Sequence, residues 1–153
     1  METALKMPGQ PVKRGSMAHD HDAYAMLADS AAQQRDAAAL SQYAPRAEEL
    51  AARDGHKLYL AIAHRARGVA RRLEGPSAHV EAQAQFDLAL ESFQQMGARW
   101  QAGRTLCEMG ELALARSNAD AARDYFSQAL AAFEEMQAAP DAAQTRAMLK
   151  SLS

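Results

Sequence analysis

The chain is poor in the residues that build sheets. Its 153 residues include three valines, Val12, Val69 and Val80, a single isoleucine, Ile62, and only 6% aromatics. β-Branched and aromatic side chains are the ones that fit a pleated surface, so this inventory points away from strands. One cysteine, Cys107, excludes an intrachain disulfide and the cysteine-rich zinc motifs. No stretch approaches the roughly 18 apolar residues of a membrane span, and the N-terminus lacks the apolar core of a signal peptide. The expectation is a cytoplasmic protein with no membrane partner. A formal charge of −2 and a pI near 6.2 leave no basic footprint, so no nucleic-acid partner is expected. There is also no Walker phosphate loop, no glycine-rich dinucleotide turn, no His-Glu-x-x-His and no nucleophile elbow. Those absences argue against an enzyme and against a bound cofactor.

What is abundant is alanine, the strongest helix former, in a chain that is 48% hydrophobic. The apolar residues repeat at a fixed step. Phe86-Asp-Leu-Ala89-Leu90-Glu-Ser-Phe93-Gln-Gln-Met96 returns as Phe126-Ser-Gln-Ala129-Leu130-Ala-Ala-Phe133-Glu-Glu-Met136, 40 residues later, and Ala82 pairs with Ala122. Upstream, Gly55 pairs with Gly97, Leu58 with Trp100 and Gly68 with Gly110, at a step of 42. The two extra residues fall where Glu74-Gly75-Pro76-Ser77 replaces the shorter Arg116-Ser117-Asn118. Insertions confined to a turn are what a tandem array of helical hairpins predicts.

Within each repeat the period is helical. Ala82, Phe86, Ala89, Leu90, Phe93 and Met96 form one stripe at steps of three and four. Ser77, and Asn118 or Asp120, suit helix starts, while Gly55 and Gly97 suit C-terminal caps with positive φ. Helices are predicted near 20–34, 37–53, 56–73, 78–96, 98–115, 119–136 and 140–151. Pro45 falls inside the second of these and is expected to kink it or to mark its true start. Residues 1–18, with Pro8, Gly9, Pro11 and Gly15, read as a disordered tail or a cloning remnant. Residues 19–153 form the repeat domain, with hairpins at about 20–54, 56–96 and 98–136 and a capping helix at 140–151.

Leu106, Met109-Gly110, Ala113, Ala122, Phe126 and Ala129 follow the order and spacing of the tetratricopeptide repeat, which this unit resembles. Gly68, Ala82, Phe86 and Ala89 carry the resemblance in the unit before it. The chain departs from that pattern at His64 and Arg67, where large apolar residues are usual, and in having no proline to close either second helix. Its repeats exceed the usual length of about 34 residues. This longer form is similar to the arrays at the C-terminal ends of bacterial ATP-dependent transcription activators and adenylate cyclases. The resemblance implies an all-α, right-handed superhelical array whose first helices line a concave groove that binds a peptide or helix of another protein. The lysine and asparagine clamp of the chaperone-binding subgroup is missing, since Asn118 is the sole asparagine.

On that implied groove the face shared by the first helices is Ile62, Arg65, Val69, Arg72, Arg104, Cys107, Glu111 and Leu114. Arginines beside apolar side chains suit an acidic or amphipathic peptide. The competing expectation is that these arginines only solubilise the array through pairs with Glu74 and Glu108. His19-Asp20-His21-Asp22 has metal-binding residue types, but alternation by two spreads them around a helix, so no metal site is assigned. His64 is expected to be half-buried and hydrogen-bonded, and Cys107 to be a buried, inert thiol. Self-association through the terminal helices is the alternative function, from Ala143, Ala147, Met148 and Leu149 on a last helix with no following partner. A small metal-dependent enzyme is the remote one.

Overall fold

The computed structural model describes residues 20–152, which contain seven α-helices and no strand among them. In chain order these are α1 (Asp20–Gln33), α2 (Ala37–Asp54), α3 (Lys57–Glu74), α4 (His79–Met96), α5 (Arg99–Ala115), α6 (Ala119–Glu135) and α7 (Ala139–Ser151), with a 3-10 turn at Pro76–Ala78. The tail reading of residues 1–18, and His19 of the His/Asp cluster, lie outside the described residues. Each helix packs against the next, and α1 also lies along α3.

The ends of the helices follow local chemistry. Asp36 accepts the Ala39 amide (3.1 Å) and Asn118 the Ala121 amide (3.0 Å), satisfying donors that a helix start leaves open. Asn118, not Asp120, is therefore the cap of α6, and Ser77 lies in the 3-10 turn without a side-chain capping bond. Gly55 and Gly97 close α2 and α4 at φ +66° and +70°. Arg35, Ser117 and Gln137 adopt the same left-handed conformation in the other three short turns.

Pro45 does not mark the start of α2, which runs from Ala37 to Asp54 with the proline inside it. The ring takes away one amide donor, yet Leu40, Ala44, Ala47, Leu50 and Ala51 stay buried on a single face. Tertiary burial of that face carries the helix through its missing bond.

The strongest packing joins α3 to α4 and α5 to α6, and its basis is a glycine seat for a phenylalanine ring. A Cβ placed on Gly68 would stand 2.5 Å from Phe86 Cε1, and one on Gly110 would stand 2.7 Å from Phe126 Cζ. Gly103 seats Phe133 the same way, with 2.7 Å to Cε1. All four phenylalanines are fully buried. The first hairpin lacks the arrangement. Ala28 and Ala44 precede Gly110 and Phe126 by the same 82 residues, so an alanine pair replaces the glycine–phenylalanine pair there. At the other end, Met148 and Leu149 of α7 turn into the cluster with Ala113, Ala122 and Phe126. Only Ala143 and Ala147 of the expected terminal apolar face remain exposed.

Candidate functional site

The eight residues expected on one open face divide in two. Cys107, Glu111, Leu114 and Arg104, all on α5, are partly exposed. Ile62, Val69, Arg65 and Arg72, all on α3, are buried, with Arg65 only 1% exposed. The α3 half is therefore not an open surface in this structure. Four apolar or paired side chains lie beneath α1 and α5, because charge alone on a helix face does not say whether another helix will cover it.

Two carboxylates make the burial tolerable. Asp29 on α1 accepts from Arg65 Nη2 (3.0 Å) and takes Arg104 in a two-point contact, Nη2 to Oδ1 at 3.1 Å and Nη1 to Oδ2 at 3.2 Å. Arg65 also donates to the Gln101 carbonyl (3.2 Å) and lies 5.2 Å from the centre of the Phe93 ring. Glu108 on α5 accepts from Arg72 Nη1 (2.8 Å) and from Arg35 Nη1 (3.1 Å). Each carboxylate thus serves two guanidiniums drawn from two different segments. Of the arginines on α3, Arg72 meets Glu108 (2.8 Å) and Arg71 meets Glu74 (2.7 Å), as the pairing expectation had it, whereas Arg65 turns to Asp29 and Arg67 to Glu48.

These contacts set the electrostatics. Burial alone would raise the Asp29 carboxyl, but Arg65 and Arg104 outweigh it and hold the group below its usual 3.8. Burial, with the like charge of Arg104, pulls Arg65 down to about 10 against the help of Asp29, so it stays charged at neutral pH. A buried charge of this kind is stable only while paired. The network also ties α1 directly to α5, residues 75 apart, where a simple repeat array would join only neighbouring units.

On the α5 side, Trp100 is 42% exposed, stacks under Arg104 with 5.0 Å from the guanidinium carbon to the ring centre, and donates its indole N–H to Asp141 (2.9 Å). Cys107 lies 3.6 Å from the Thr145 hydroxyl, and burial pushes its thiol up to about 11, with Glu108, Glu111 and Asp141 adding to the rise. A thiol so placed is not a nucleophile at neutral pH.

The remaining polar candidates are engaged locally. His64 is half-buried and its Nδ1 donates to Gln85 Oε1 (2.9 Å). His21 Nδ1 donates to Asp54 (2.8 Å) and its Nε2 lies 3.0 Å from Asp22, while its ring sits 5.0 Å from that of His56. Among the described residues no three His, Cys, Asp or Glu side chains are grouped to hold a metal ion. A cleft of about 360 Å³ opens between α2 and α3, beside Pro45, Arg67 and Arg71. Both arginines there already face carboxylates, Arg67 facing Glu48 and Arg71 facing Glu74.

Asp29 is the residue that sequence reading missed. Nothing in its own helix marks it, since a carboxylate on α1 looks like any solvated one until α3 and α5 are brought against it. No protein-family model matches the chain, and no curated protein is detectably similar to it. No helix among the described residues is long and apolar enough to cross a membrane.

Proposed function

We propose that the chain is a tetratricopeptide-type repeat scaffold, cytoplasmic and non-enzymatic, that binds a peptide or helix of another protein on the side formed by α1, α3 and α5. The observation that carries this reading is the repeated glycine–phenylalanine seat, Gly68 under Phe86 and Gly110 under Phe126. It gives successive hairpins the same internal geometry, and stacked hairpins of constant geometry generate an extended recognition surface. Beside the α5 half of the arginine-bearing face the exposed Trp100 and the partly exposed Glu111 and Leu114 supply an aromatic anchor with a carboxylate and an apolar neighbour, while Arg104 is held by Asp29. Aromatic and arginine side chains are the usual anchors of protein interfaces.

Site-specific photo-crosslinking tests it. A benzophenone side chain replacing Trp100 is expected to trap a discrete partner in native-host cells, while the same group replacing Leu88, exposed on α4, traps none. Equal labelling from both positions, or no adduct from Trp100, would remove the reading. Self-association is the second reading, favoured by exposed Met26 and Leu27 on α1 together with Ala143 and Ala147 on α7. A monomer at high concentration by light scattering eliminates it.

A further inference from the structure

The Asp29 carboxylate fills the angle between two guanidiniums that belong to other helices. Arg104 grips both of its oxygens, and Arg65 donates to one of them. A planar, two-point guanidinium contact reinforced by a second guanidinium is a strong arrangement for holding an incoming carboxylate. Here the carboxylate comes from the chain itself.

The helix that delivers it is weakly anchored by apolar contact. The buried hydrophobic side chains of α1 are alanines alone, Ala25, Ala28, Ala31 and Ala32. By contrast α2 contributes Leu40 and Leu50, α3 contributes Ile62 and Val69, and α4 and α6 contribute two phenylalanines each. Apolar stabilisation scales with buried area, so α1 has less to lose on leaving than any of α2 to α6. Its other attachments are the partly buried Tyr24, whose ring lies 6.2 Å from that of Tyr43, and three polar ones: His21 to Asp54 near its start, Asp29 in its middle, and Arg35 to Glu108 in the turn after it. Arg65 makes this attachment conditional. Without a counter-charge a buried guanidinium is strongly unfavourable, and lifting α1 is the simplest movement that returns it to water.

We propose that α1 is a displaceable cover and that Asp29 is its built-in ligand, occupying a carboxylate seat made by Arg65 and Arg104 that an acidic segment of a partner takes when α1 lifts. The seat rests on the partner-binding reading above. Lifting α1 also opens part of the face that the sequence pattern implied, since Arg65 then joins Arg104 at the surface, while Arg72 stays paired with Glu108 on α5.

Hydrogen exchange read by mass spectrometry on the full chain tests the cover, comparing wild type with Asp29→Asn and Arg104→Gln. The second variant keeps Arg65 paired, so it folds even if the first does not. Amides of α1 are expected to exchange at least about tenfold faster in both variants, and by a clearly larger factor than those of α4 to α6. A fluorescein-labelled peptide of repeating Glu-Ala-Ala-Leu, followed by anisotropy, tests the seat. It is expected to bind Asp29→Asn at least about tenfold tighter than wild type, and adding Arg104→Gln is expected to abolish that gain. Unchanged α1 exchange in both variants, or exchange rising uniformly from α1 to α7, overturns the cover. Peptide binding alongside that result would leave the partner reading standing. Faster α1 exchange without peptide binding would instead overturn the seat and the acidic-partner reading together.

Discussion

Replacing Gly68 with alanine sets two effects of opposite sign against each other. In a helix interior alanine is favoured over glycine by about 1 kcal/mol, from backbone entropy alone. At this position the added methyl would stand 2.5, 2.6 and 2.9 Å from Cε1, Cδ1 and Cζ of Phe86. Carbon atoms pack best at about 3.5–4.0 Å, so ring or helix must retreat by about 1 Å. Phe86 is fully buried and has no solvent to swing into. Overpacking of this kind costs about 1–3 kcal/mol, and the depth of the overlap places Gly68 toward the upper end. The net expectation is a loss of about 1–2 kcal/mol, or a fall in Tm of about 2–8 °C. Urea and thermal unfolding followed by circular dichroism measure it. The double variant Gly68→Ala/Phe86→Leu frees the space and is expected to be more stable than the two single losses predict, by at least about 1 kcal/mol. A Gly68→Ala chain as stable as wild type, or strict additivity in the double, would refute the seat and leave only helix propensity.

Two further outcomes follow from the charge network and the thiol. The folded Asp29 carboxyl lies below its ordinary 3.8, so the folded state binds fewer protons and gains stability above that pH. Urea titrations are expected to show Asp29→Asn less stable than wild type by about 3–5 kcal/mol and constant between about pH 5 and 8. The gap should narrow below about pH 4 as Asp29 takes up its proton in wild type, and a gap that closes between pH 5 and 8 would contradict the assignment. Cys107, with its thiol near 11 against an ordinary 9.0, should carry roughly 100-fold less thiolate at pH 8. Iodoacetamide should therefore alkylate it about that much more slowly than a small free thiol, and a rate within a few-fold would place the thiol in a different environment.

The buried arginines also change how a charge-reversal experiment on this face must be understood. Glutamate at position 65 would put a second carboxylate beside Asp29 in place of the guanidinium that pairs with it. Lost binding in such a variant would report lost packing before it reported a lost contact, whereas changes at Trp100 and Glu111 leave the core intact.

The helices were legible in the sequence because their causes are local. A stripe at steps of three and four, Asn118 at a start, and Gly55 and Gly97 at two ends each act within a few residues of themselves. Gly68 and Gly110 were legible as repeated positions for a related reason, although the ring seated on each was not. The same glycine recurs in two units, and only a close approach demands glycine in the middle of a helix. Gly103 went unnoticed because its counterpart 42 residues earlier is Ala61, which breaks the repetition that made the others visible. Pro45 misled as a possible start of α2 because a proline acts locally on one hydrogen bond, while the burial that holds α2 together is spread along its whole face. Arg65 and Arg72 could be placed on a helix face but not inside the molecule. Their carboxylates lie 36 residues away on either side, Asp29 before Arg65 and Glu108 after Arg72. Periodicity decides which side chains share a face, since that depends only on the turn of one helix. Which faces meet, and so which charges must find partners out of water, is decided by packing between segments that have no local signal for one another.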